Sequence, residues 1–350
     1  MIENQKNNKN ISKITLPSEL RFDLVSGDWV VIATGRAKRP EMFKEKREKS
    51  KVSKKDCPFC HIESQKEPLL IFHNGKKIEL KNKISKHWTT LVLPNKFPAF
   101  FPAEKIEKTE EGGFFQKISG VGFCELVITK EHEKTLATLP LARVKEVFDA
   151  YQERYLALMR EKNVNYISIF HNEGPKAGAT QSHPHSQIIT TPLIDIDLKK
   201  AILNSKKYYQ KTEKCLYCQL NNWERKIKKR IVFENEDFLV LCPFASKVAF
   251  EMIISPKKHF SYFEKIGEKE KWKLAEAFHV ALRKLYKGLN KPDYNFYLHT
   301  APCDGEKYPY YHWHWTILPK TSIWAGFELG AHMEISTIEP EKAAEYLRQF

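Results

Sequence analysis

The same order of cysteines and histidines occurs twice along this chain, and this repeat restricts the possible folds more than any other feature. Each half contains a Cys-x-x-Cys pair followed by two distant histidines: Cys57, Cys60, His132 and His183, then Cys215, Cys218, His259 and His312. The two histidines are 51 positions apart in the first half and 53 in the second. The shared order and spacing predict an internal duplication of one folding unit.

Each copy also contains the same order of predicted secondary structure. The first has strand-like runs at residues 88–93, 124–129 and 166–170, and the second has them at 238–242, 250–254 and 295–299. An amphipathic helix follows Pro140 in one copy and precedes Pro292 in the other. Because no crossover helix connects the paired strands, we predict an α+β fold of two duplicated units, each an antiparallel sheet with packed helices.

The repeat also gives the predicted domain boundaries. The first 13 residues are polar and rich in asparagine and lysine, and we predict a flexible N-terminal tail over residues 1–20. The first unit is predicted over residues 21–195 and the second over residues 196–350. The last segment, residues 320–350, has no counterpart in the first copy.

Each set of two cysteines and two histidines predicts a metal site. Two thiolates on a tight turn occupy neighbouring vertices of a tetrahedron and distant imidazoles complete it, which suits a structural Zn2+ ion. Other roles for the cysteine pairs stay open. Cys57-Pro58-Phe59-Cys60-His61 also fits a c-type haem attachment sequence, although Gln219 follows the second pair. A redox pair and plain structural cysteines are the further alternatives.

The segment around the second histidine of the first copy is predicted to carry the chemistry. Alternate residues of an extended chain point to one face, so His183, His185 and Gln187 are expected in a row. The preceding loop contains glycines and is expected to direct backbone N–H groups at an anion. If zinc fixes His183, then His185 is held as well and can attack an α-phosphorus to give a covalent phosphoramidate.

A comparison of the two copies favours His185 over His314 as the nucleophile. Two residues after His185 stands Gln187, whose amide can donate to a phosphoryl oxygen, whereas Thr316 follows His314. The loop before His185 contains two glycines, and the loop before His314 contains bulky lysine and tyrosine residues. His314 is therefore interpreted as a degenerate copy that packs or touches substrate.

The net charge of +15 raises the question of nucleic-acid binding. Much of it comes from residues 44–55 and 206–230, which lack the interleaved aromatic pattern of an RNA-stacking surface. We predict an anionic small-molecule substrate and no nucleic-acid partner. No apolar stretch reaches the roughly 20 residues of a membrane span, and the start lacks an apolar signal segment. These features predict a cytoplasmic protein without a membrane partner.

Several segments resemble the galactose-1-phosphate uridylyltransferase family of the histidine triad superfamily, over roughly residues 20–350. They include Gly35-Arg36-Ala37-Lys38-Arg39-Pro40, Cys57-Pro58-Phe59-Cys60, Leu93-Pro94-Asn95-Lys96-Phe97-Pro98-Ala99, His183-Pro184-His185-Ser186-Gln187 and Gly326-Phe327-Glu328. The resemblance implies two histidine-triad-like units. It also implies a ping-pong reaction of galactose metabolism that passes UMP from UDP-glucose through a uridylyl-histidine to galactose 1-phosphate.

The resemblance further implies roles for single residues. His185 is the implied nucleophile, with Gln187 beside the phosphates. The other implied contacts are, for the nucleotide and its phosphates, Arg36, Arg39, Asn95, Asn172, Gly178 and Thr180, and, for the hexose, Phe327 and Glu328 in the C-terminal tail. Planar, permanently charged guanidinium groups suit phosphate. A homodimer is implied, with the hexose contacts reaching across its interface.

Other features keep alternative functions open. Lys96 and Phe327 depart from residues common in the main branch of the family. The second Cys/His set and Ser186 resemble the branch that includes ADP-glucose phosphorylase, which transfers an adenylyl group to phosphate. A dinucleoside polyphosphate hydrolase would use the same histidine, but Gln187 stands where a third histidine is expected. A non-enzymatic, zinc-dependent nucleic-acid-binding protein is the remaining alternative.

Overall fold

The computed structural model describes residues 18–36, 40–44, 53–79 and 87–350. Most of the predicted N-terminal tail and most of the lysine-rich run at 44–55 therefore lie outside the described residues. Elements of the N-terminal half are β1 (Glu19–Phe22), β2 (Trp29–Ile32), β3 (Leu70–His73), β4 (Lys76–Ile78), β5 (Thr90–Pro94), β6 (Lys108–Glu111), β7 (Phe115–Ile118), β8 (Cys124–Thr129), α1 (Leu141–Leu158), β9 (Tyr166–Glu173) and β10 (His185–Thr191).

The C-terminal half repeats the pattern and adds further elements. These are α2 (Ile196–Thr212), α3 (Leu216–Ile227), β11 (Ile231–Glu234), β12 (Phe238–Leu241), β13 (Met252–Pro256), α4 (Glu268–Gly288), β14 (Tyr294–His299), β15 (His314–Pro319), α5 (Gly326–Ala331), β16 (Ile335–Ser336) and α6 (Pro340–Arg348). In the described part of the chain, no helix is both long and apolar enough to cross a membrane.

One antiparallel sheet contains strands from both halves. Its order is β11-β12-β13-β15-β14-β9-β10-β8-β5-β3-β4. The order is symmetrical about the β14–β9 pair, so that β15 corresponds to β10, β13 to β8, and β12 to β5. The α+β class and the antiparallel pairing are confirmed. The predicted units do not form separate sheets, because β9 and β14 pair across the middle.

Most predicted elements begin and end close to the predicted residues. Strand β5, expected from residue 88, begins two residues later at Thr90. Strand β13 was expected over residues 250–254 and likewise begins two residues late, at Met252. Phe250 has a φ angle of 65°, and this left-handed conformation is incompatible with an extended strand. The chain therefore turns before it enters the sheet.

The main core lies between the sheet and helices α1 and α4. Phe148 of α1 and Phe278 of α4 pack with ring centroids 4.9 Å apart. Trp315 of β15 packs edge-on against Phe278 at 5.2 Å and is fully buried. Because side chains alternate along a strand, His314 and Thr316 point to the opposite face of the sheet. One face thus forms the main core, and the other carries His185 and His314 together with a smaller apolar cluster that includes Leu91 and Ile128.

A small second sheet joins β1 and β2, from the N-terminal end of the described chain, to β16 near its C-terminal end. Strand β2 pairs with β1 in an antiparallel and with β16 in a parallel arrangement. The Arg21 side chain, which is 8% exposed, donates to the Glu341 carboxylate of α6 at 3.0 Å. This ion pair holds the first described strand against the last helix.

Candidate active site and metal centres

The structure brings together the four side chains of the first predicted metal set. The donor atoms of Cys57, Cys60, His132 and His183 all lie within 4.8 Å of one another. The Cys60 Sγ atom is 3.3 Å from His132 Nδ1, and Cys57 Sγ is 3.5 Å from His183 Nδ1. Sulfur and nitrogen ligands of one tetrahedral zinc ion lie about 3.5 Å apart, as bond lengths of about 2.3 and 2.0 Å require. The geometry therefore fits a zinc ion.

The tautomer of His183 also fits a metal ligand. Its Nε2 atom is 2.8 Å from the Thr129 carbonyl oxygen, which can only accept, so Nε2 carries the hydrogen. The Nδ1 lone pair therefore faces the cysteines. Burial lowers the pKa of His183 to about 4, which keeps the ring neutral. A backbone acceptor behind a ligating histidine is the arrangement that fixes such rings at metal sites.

The second set repeats this arrangement. The donor atoms of Cys215, Cys218, His259 and His312 also lie within 4.8 Å of one another. Cys218 Sγ is 3.5 Å from the Nδ1 atoms of both histidines. The Nε2 atom of His312 donates to the Pro256 carbonyl oxygen at 2.9 Å, at the end of β13. Thr129 occupies the same position at the end of β8, so the backbone acceptor is duplicated together with the ligands.

His185 opens β10 and has a defined tautomer. Its Nδ1 atom donates to the His183 carbonyl oxygen at 3.0 Å, so the lone pair of the neutral ring is on Nε2. The residue is 9% exposed, and burial lowers its pKa. A neutral imidazole with a free Nε2 and a fixed Nδ1–H is competent for nucleophilic attack.

An aromatic ring from the first cysteine turn positions both histidines. Phe59 packs edge-on against His183, with ring centroids 5.8 Å apart, and against His185 at 5.0 Å. Strand β10 begins at His185, so His183 precedes the strand instead of belonging to it. Their shared contact with Phe59 shows that the two rings nevertheless face one side. The cysteine turn therefore supports both histidines through Phe59, in addition to providing Cys57 and Cys60 to the first Cys/His set.

Gln187 and Asn172 lie on the same face of the sheet as His185. Gln187 follows His185 by two positions in β10, and Asn172 of β9 lies next to the His171–Ser186 pair, opposite His185. The Asn172 Oδ1 atom accepts from the Asn295 amide at 2.8 Å. This hydrogen bond across the β9–β14 ladder fixes the orientation of Asn172, so that its amide nitrogen is the group left to donate.

The loop before β10 folds on itself. Its backbone N–H groups donate within the protein: Lys176 to the Asp293 carboxylate at 2.8 Å, Ala177 and Ala179 to the Gly174 carbonyl at 3.1 Å, and Gly178 to the Pro175 carbonyl at 3.0 Å. The prediction that these N–H groups face an anion is therefore wrong for residues 176–179. Gly178 and Thr180 remain exposed at the tip of this loop.

Replacement of Gly174 by alanine should destabilise this loop. Gly174 has φ 84° and ψ 163°, a region essentially restricted to glycine, and an added Cβ would overlap the Asp293 carboxylate. We expect the free energy of unfolding to fall by about 3 kcal/mol in urea titrations. Gly305→Ala is the control, because Gly305 also has a positive φ but has open space around its Cβ position. Equal losses of unfolding free energy in the two variants would show that the overlap with Asp293 does not contribute to the destabilisation.

The remaining predicted contacts are distributed over other elements. Asn95 follows β5, and the strand alternation puts it on the face that carries Gln187. Its backbone N–H donates to the Cys124 carbonyl at 2.8 Å. Arg36 ends a short 3-10 turn that begins at Thr34, and its side chain lies outside what the structure describes. Arg39 lies outside the described residues.

The predicted hexose contacts lie on α5, between β15 and β16. The Phe327 side chain is 51% exposed. The Glu328 carboxylate accepts from the Ala325 backbone N–H at 3.0 Å at the start of the helix. Helix α5 connects β15 of the main sheet to β16, which pairs with β2 in the small sheet.

A buried hydrogen-bond network behind His185 was not predicted. Ser186 points to the other face of β10, where its hydroxyl lies 2.5 Å from the Tyr151 hydroxyl and 3.0 Å from His171 Nδ1. The His171 Nε2 atom is 3.4 Å from the Glu173 carboxylate. Strand alternation is enough to predict that Ser186 and His171 share one face. The contact of Ser186 with Tyr151 of α1 depends on tertiary packing, which the sequence does not show.

His314 has the same tautomer as its counterpart in the first copy. Its Nδ1 atom donates to the His312 carbonyl oxygen at 3.2 Å. The ring stacks on His299 with centroids 4.8 Å apart and is 7% exposed. The duplication thus preserves the histidine geometry itself, and the two copies differ in the residues that surround it.

Comparison with known proteins gives one consistent family. A model described as galactose-1-phosphate uridyl transferase, N-terminal domain, matches residues 8–195. The chain is 32% identical to the ADP-glucose phosphorylase of Arabidopsis thaliana, over 95% of this chain and 92% of that protein. It is 27% identical to the galactose-1-phosphate uridylyltransferase of Thermotoga maritima, over 95% and 98% of the two chains.

Solved structures give the same result. The crystal structure of an ADP-glucose phosphorylase from Arabidopsis thaliana with bound ADP-glucose has a TM-score of 0.76 at 28% identity, covering 95% of this chain and 99% of that one. A uridylyltransferase structure has a TM-score of 0.71 at 27% identity, covering 94% and 97%. Because the family model spans more than half of the sequence and relatives align along almost its whole length, the chain belongs to the galactose-1-phosphate uridyl transferase family.

Proposed function

We propose that this protein is a nucleotidyltransferase that passes UMP from UDP-glucose to galactose 1-phosphate through a covalent intermediate on His185. The observation that carries the proposal is the hydrogen bond from His185 Nδ1 to the His183 carbonyl, which leaves the Nε2 lone pair free. Relatives named as galactose-1-phosphate uridylyltransferases support this reaction and its place in galactose metabolism.

The reaction takes place in two displacements at one phosphorus atom. His185 Nε2 attacks the α-phosphorus of UDP-glucose, an N–P bond forms, and the bond from the α-phosphorus to the bridging oxygen breaks. Glucose 1-phosphate leaves with that oxygen. A phosphate oxygen of galactose 1-phosphate then attacks the same phosphorus, the N–P bond breaks, and UDP-galactose leaves with the neutral imidazole restored.

Polar groups on the same face are proposed to stabilise the transferred phosphoryl group. The Gln187 and Asn172 amides, which share the face of His185, would donate to its oxygens. Gly178 and Thr180, at the exposed loop tip, and Asn95, directly after β5, are proposed to contact the nucleotide. The phosphate-binding roles of Arg36 and Arg39 rest on the sequence resemblance.

Zinc is the metal that we propose for both Cys/His sets, because two thiolates and two imidazoles are its usual tetrahedral donors. Four protein ligands leave no open position, so each ion would act as a structural cross-link. In the first set, the fold that holds His183 also holds the carbonyl oxygen that orients His185. The second set would support the corresponding part of the C-terminal half.

The hexose site is proposed to involve a second copy of the chain. Phe327 and Glu328 belong to α5, an exposed helix between β15 and β16. Ile323, Trp324 and Leu329 around them are also exposed, at 89%, 39% and 62%. A homodimer would cover these apolar side chains and bring the segment to the partner's nucleophile. We also propose a cytoplasmic location and the domain limits 21–195 and 196–350.

A second candidate is phosphorolysis of ADP-glucose through an adenylyl-histidine. It is favoured by the 32% identity to an ADP-glucose phosphorylase and by the second Cys/His cluster. The mechanism at His185 would be the same, and the two candidates differ only in the base and in the acceptor.

Intact-mass measurement distinguishes the two candidates. The purified protein is incubated separately with UDP-glucose and with ADP-glucose, without an acceptor. We expect a uridylyl increment with UDP-glucose, which galactose 1-phosphate then removes. An adenylyl increment with ADP-glucose alone, removed by inorganic phosphate, would select the second candidate. The absence of any increment would contradict both.

A further inference from the structure

A cavity of about 1100 Å³ lies beside the strands of the C-terminal half of the sheet, next to His314. Its wall includes Tyr297 and His299 of β14 and His314 of β15, and it is covered by the chain around β1 and by α2 and α3. Strands β10 and β15 are separated by β9 and β14, which puts them about 14 Å apart. None of the described residues proposed for the nucleotide lines this cavity.

The lining of the cavity is acidic, although the protein as a whole carries a net positive charge. Nine carboxylate side chains line it, against four cationic ones. Three of the four cations have carboxylate partners: Arg21 lies 3.0 Å from Glu341, Arg230 lies 2.7 Å from Glu224, and Lys247 lies 3.5 Å from Asp28. The local excess of negative charge disfavours phosphate. This cavity is therefore unsuited to a nucleotide sugar or a sugar phosphate, although it surrounds the duplicate of the proposed nucleophile.

The wall around His314 offers ring faces and hydrogen-bond acceptors. His299 stacks on His314 with an interplanar angle of 26°, and Tyr297 packs edge-on against His299 at 5.0 Å. The His314 Nδ1–H is used by the His312 carbonyl, so Nε2 offers a lone pair. Burial lowers the pKa of His299 to about 4, so this ring is neutral and presents one acceptor nitrogen. Asp195 and Asp197 add carboxylate oxygens at the start of α2.

We propose that this cavity binds an unphosphorylated saccharide. Each sugar hydroxyl can donate to an imidazole nitrogen or a carboxylate, and the C–H faces of a pyranose ring can pack on His299 and Tyr297. Small-molecule sites commonly have volumes of about 300–1,000 Å³, so the cavity has room for more than one hexose unit. Since paired cations already balance several carboxylates, neutral donors suit the site better than a fully cationic ligand. The proposal does not depend on the reaction at His185.

Isothermal titration calorimetry on the full-length, zinc-loaded protein tests the proposal with glucose, galactose and maltose, and with spermidine as the cationic probe. We expect binding of at least one of these saccharides and about tenfold weaker binding in His299→Phe, which keeps the ring and removes its nitrogens. Asp197→Asn, at an exposed position, should weaken the same binding. Glu345→Gln, an exposed carboxylate on α6, and His185→Asn should leave the affinity unchanged.

Three results would overturn the proposal. They are the absence of saccharide binding, saccharide binding that neither His299→Phe nor Asp197→Asn weakens, and binding of spermidine without any saccharide. The second result would place the sugar elsewhere, such as at the hexose site. Because His185→Asn is one of the proteins tested, failure here is distinguishable from failure of the proposed transferase reaction.

Discussion

Replacement of His185 by asparagine should abolish the covalent nucleotidyl adduct and lower turnover by at least about a thousandfold. The asparagine side chain is smaller than histidine, but its amide can still donate a hydrogen bond to the His183 carbonyl. It has no nitrogen lone pair comparable to Nε2, so the N–P bond cannot form. Intact-mass spectra after incubation with UDP-glucose measure the adduct, and a coupled assay of glucose 1-phosphate release measures turnover.

The pseudo-symmetrical variant His314→Asn is the matched control for labelling. It removes an imidazole with the same backbone hydrogen bond, in the other half of the sheet. We expect the uridylyl increment to persist in this variant. Its loss in His314→Asn with retention in His185→Asn would move the nucleophile to the C-terminal half. The acidic surroundings of His314 argue against that outcome.

Serine substitutions in the two cysteine pairs should separate the roles of the two metal sets. Cys57→Ser and Cys218→Ser each remove one thiolate, and metal analysis should fall from two zinc ions per chain to one in either variant. Structural zinc contributes about 10–16 kcal/mol of apparent binding free energy in small zinc domains, so we expect a loss of unfolding free energy on the order of 5 kcal/mol in each.

Only the first substitution should also prevent adduct formation. In the first set, Cys57 contacts His183, whose carbonyl oxygen orients His185. The second set is connected to His314 in the same way, and His314 has no part in the proposed transfer. Retention of the adduct at full rate in a folded Cys57→Ser protein would show that the metal set and the nucleophile are independent.

The sequence was sufficient to predict which cysteines and histidines come together in each Cys/His set, because these sets depend on local features that occur twice. A Cys-x-x-Cys turn places two thiols together whatever surrounds it, and the repeated spacing identified the histidines that complete each set. Strand alternation likewise put His185 and Gln187 on one face. Such inferences require only backbone geometry.

Features that depend on distant packing could not be predicted. The pairing of β9 with β14 joins two strands that have equivalent positions in the two copies, and a sequence does not show which edges meet. The loop at residues 174–179 contains two glycines, which led to the prediction of anion binding, but the Asp293 carboxylate from the other half accepts a hydrogen bond from one of its N–H groups. The contact of Ser186 with Tyr151 likewise depends on how α1 crosses the sheet.

The β9–β14 ladder has a mechanical consequence. Backbone hydrogen bonds continue from one half into the other, so the halves cannot rock as rigid bodies around a flexible linker. Cutting the chain near residue 195 would leave each fragment with a bare strand edge rich in unpaired peptide groups, a template for aggregation. The two halves are therefore expected to unfold together in one transition, because the hydrogen bonds between β9 and β14 connect them.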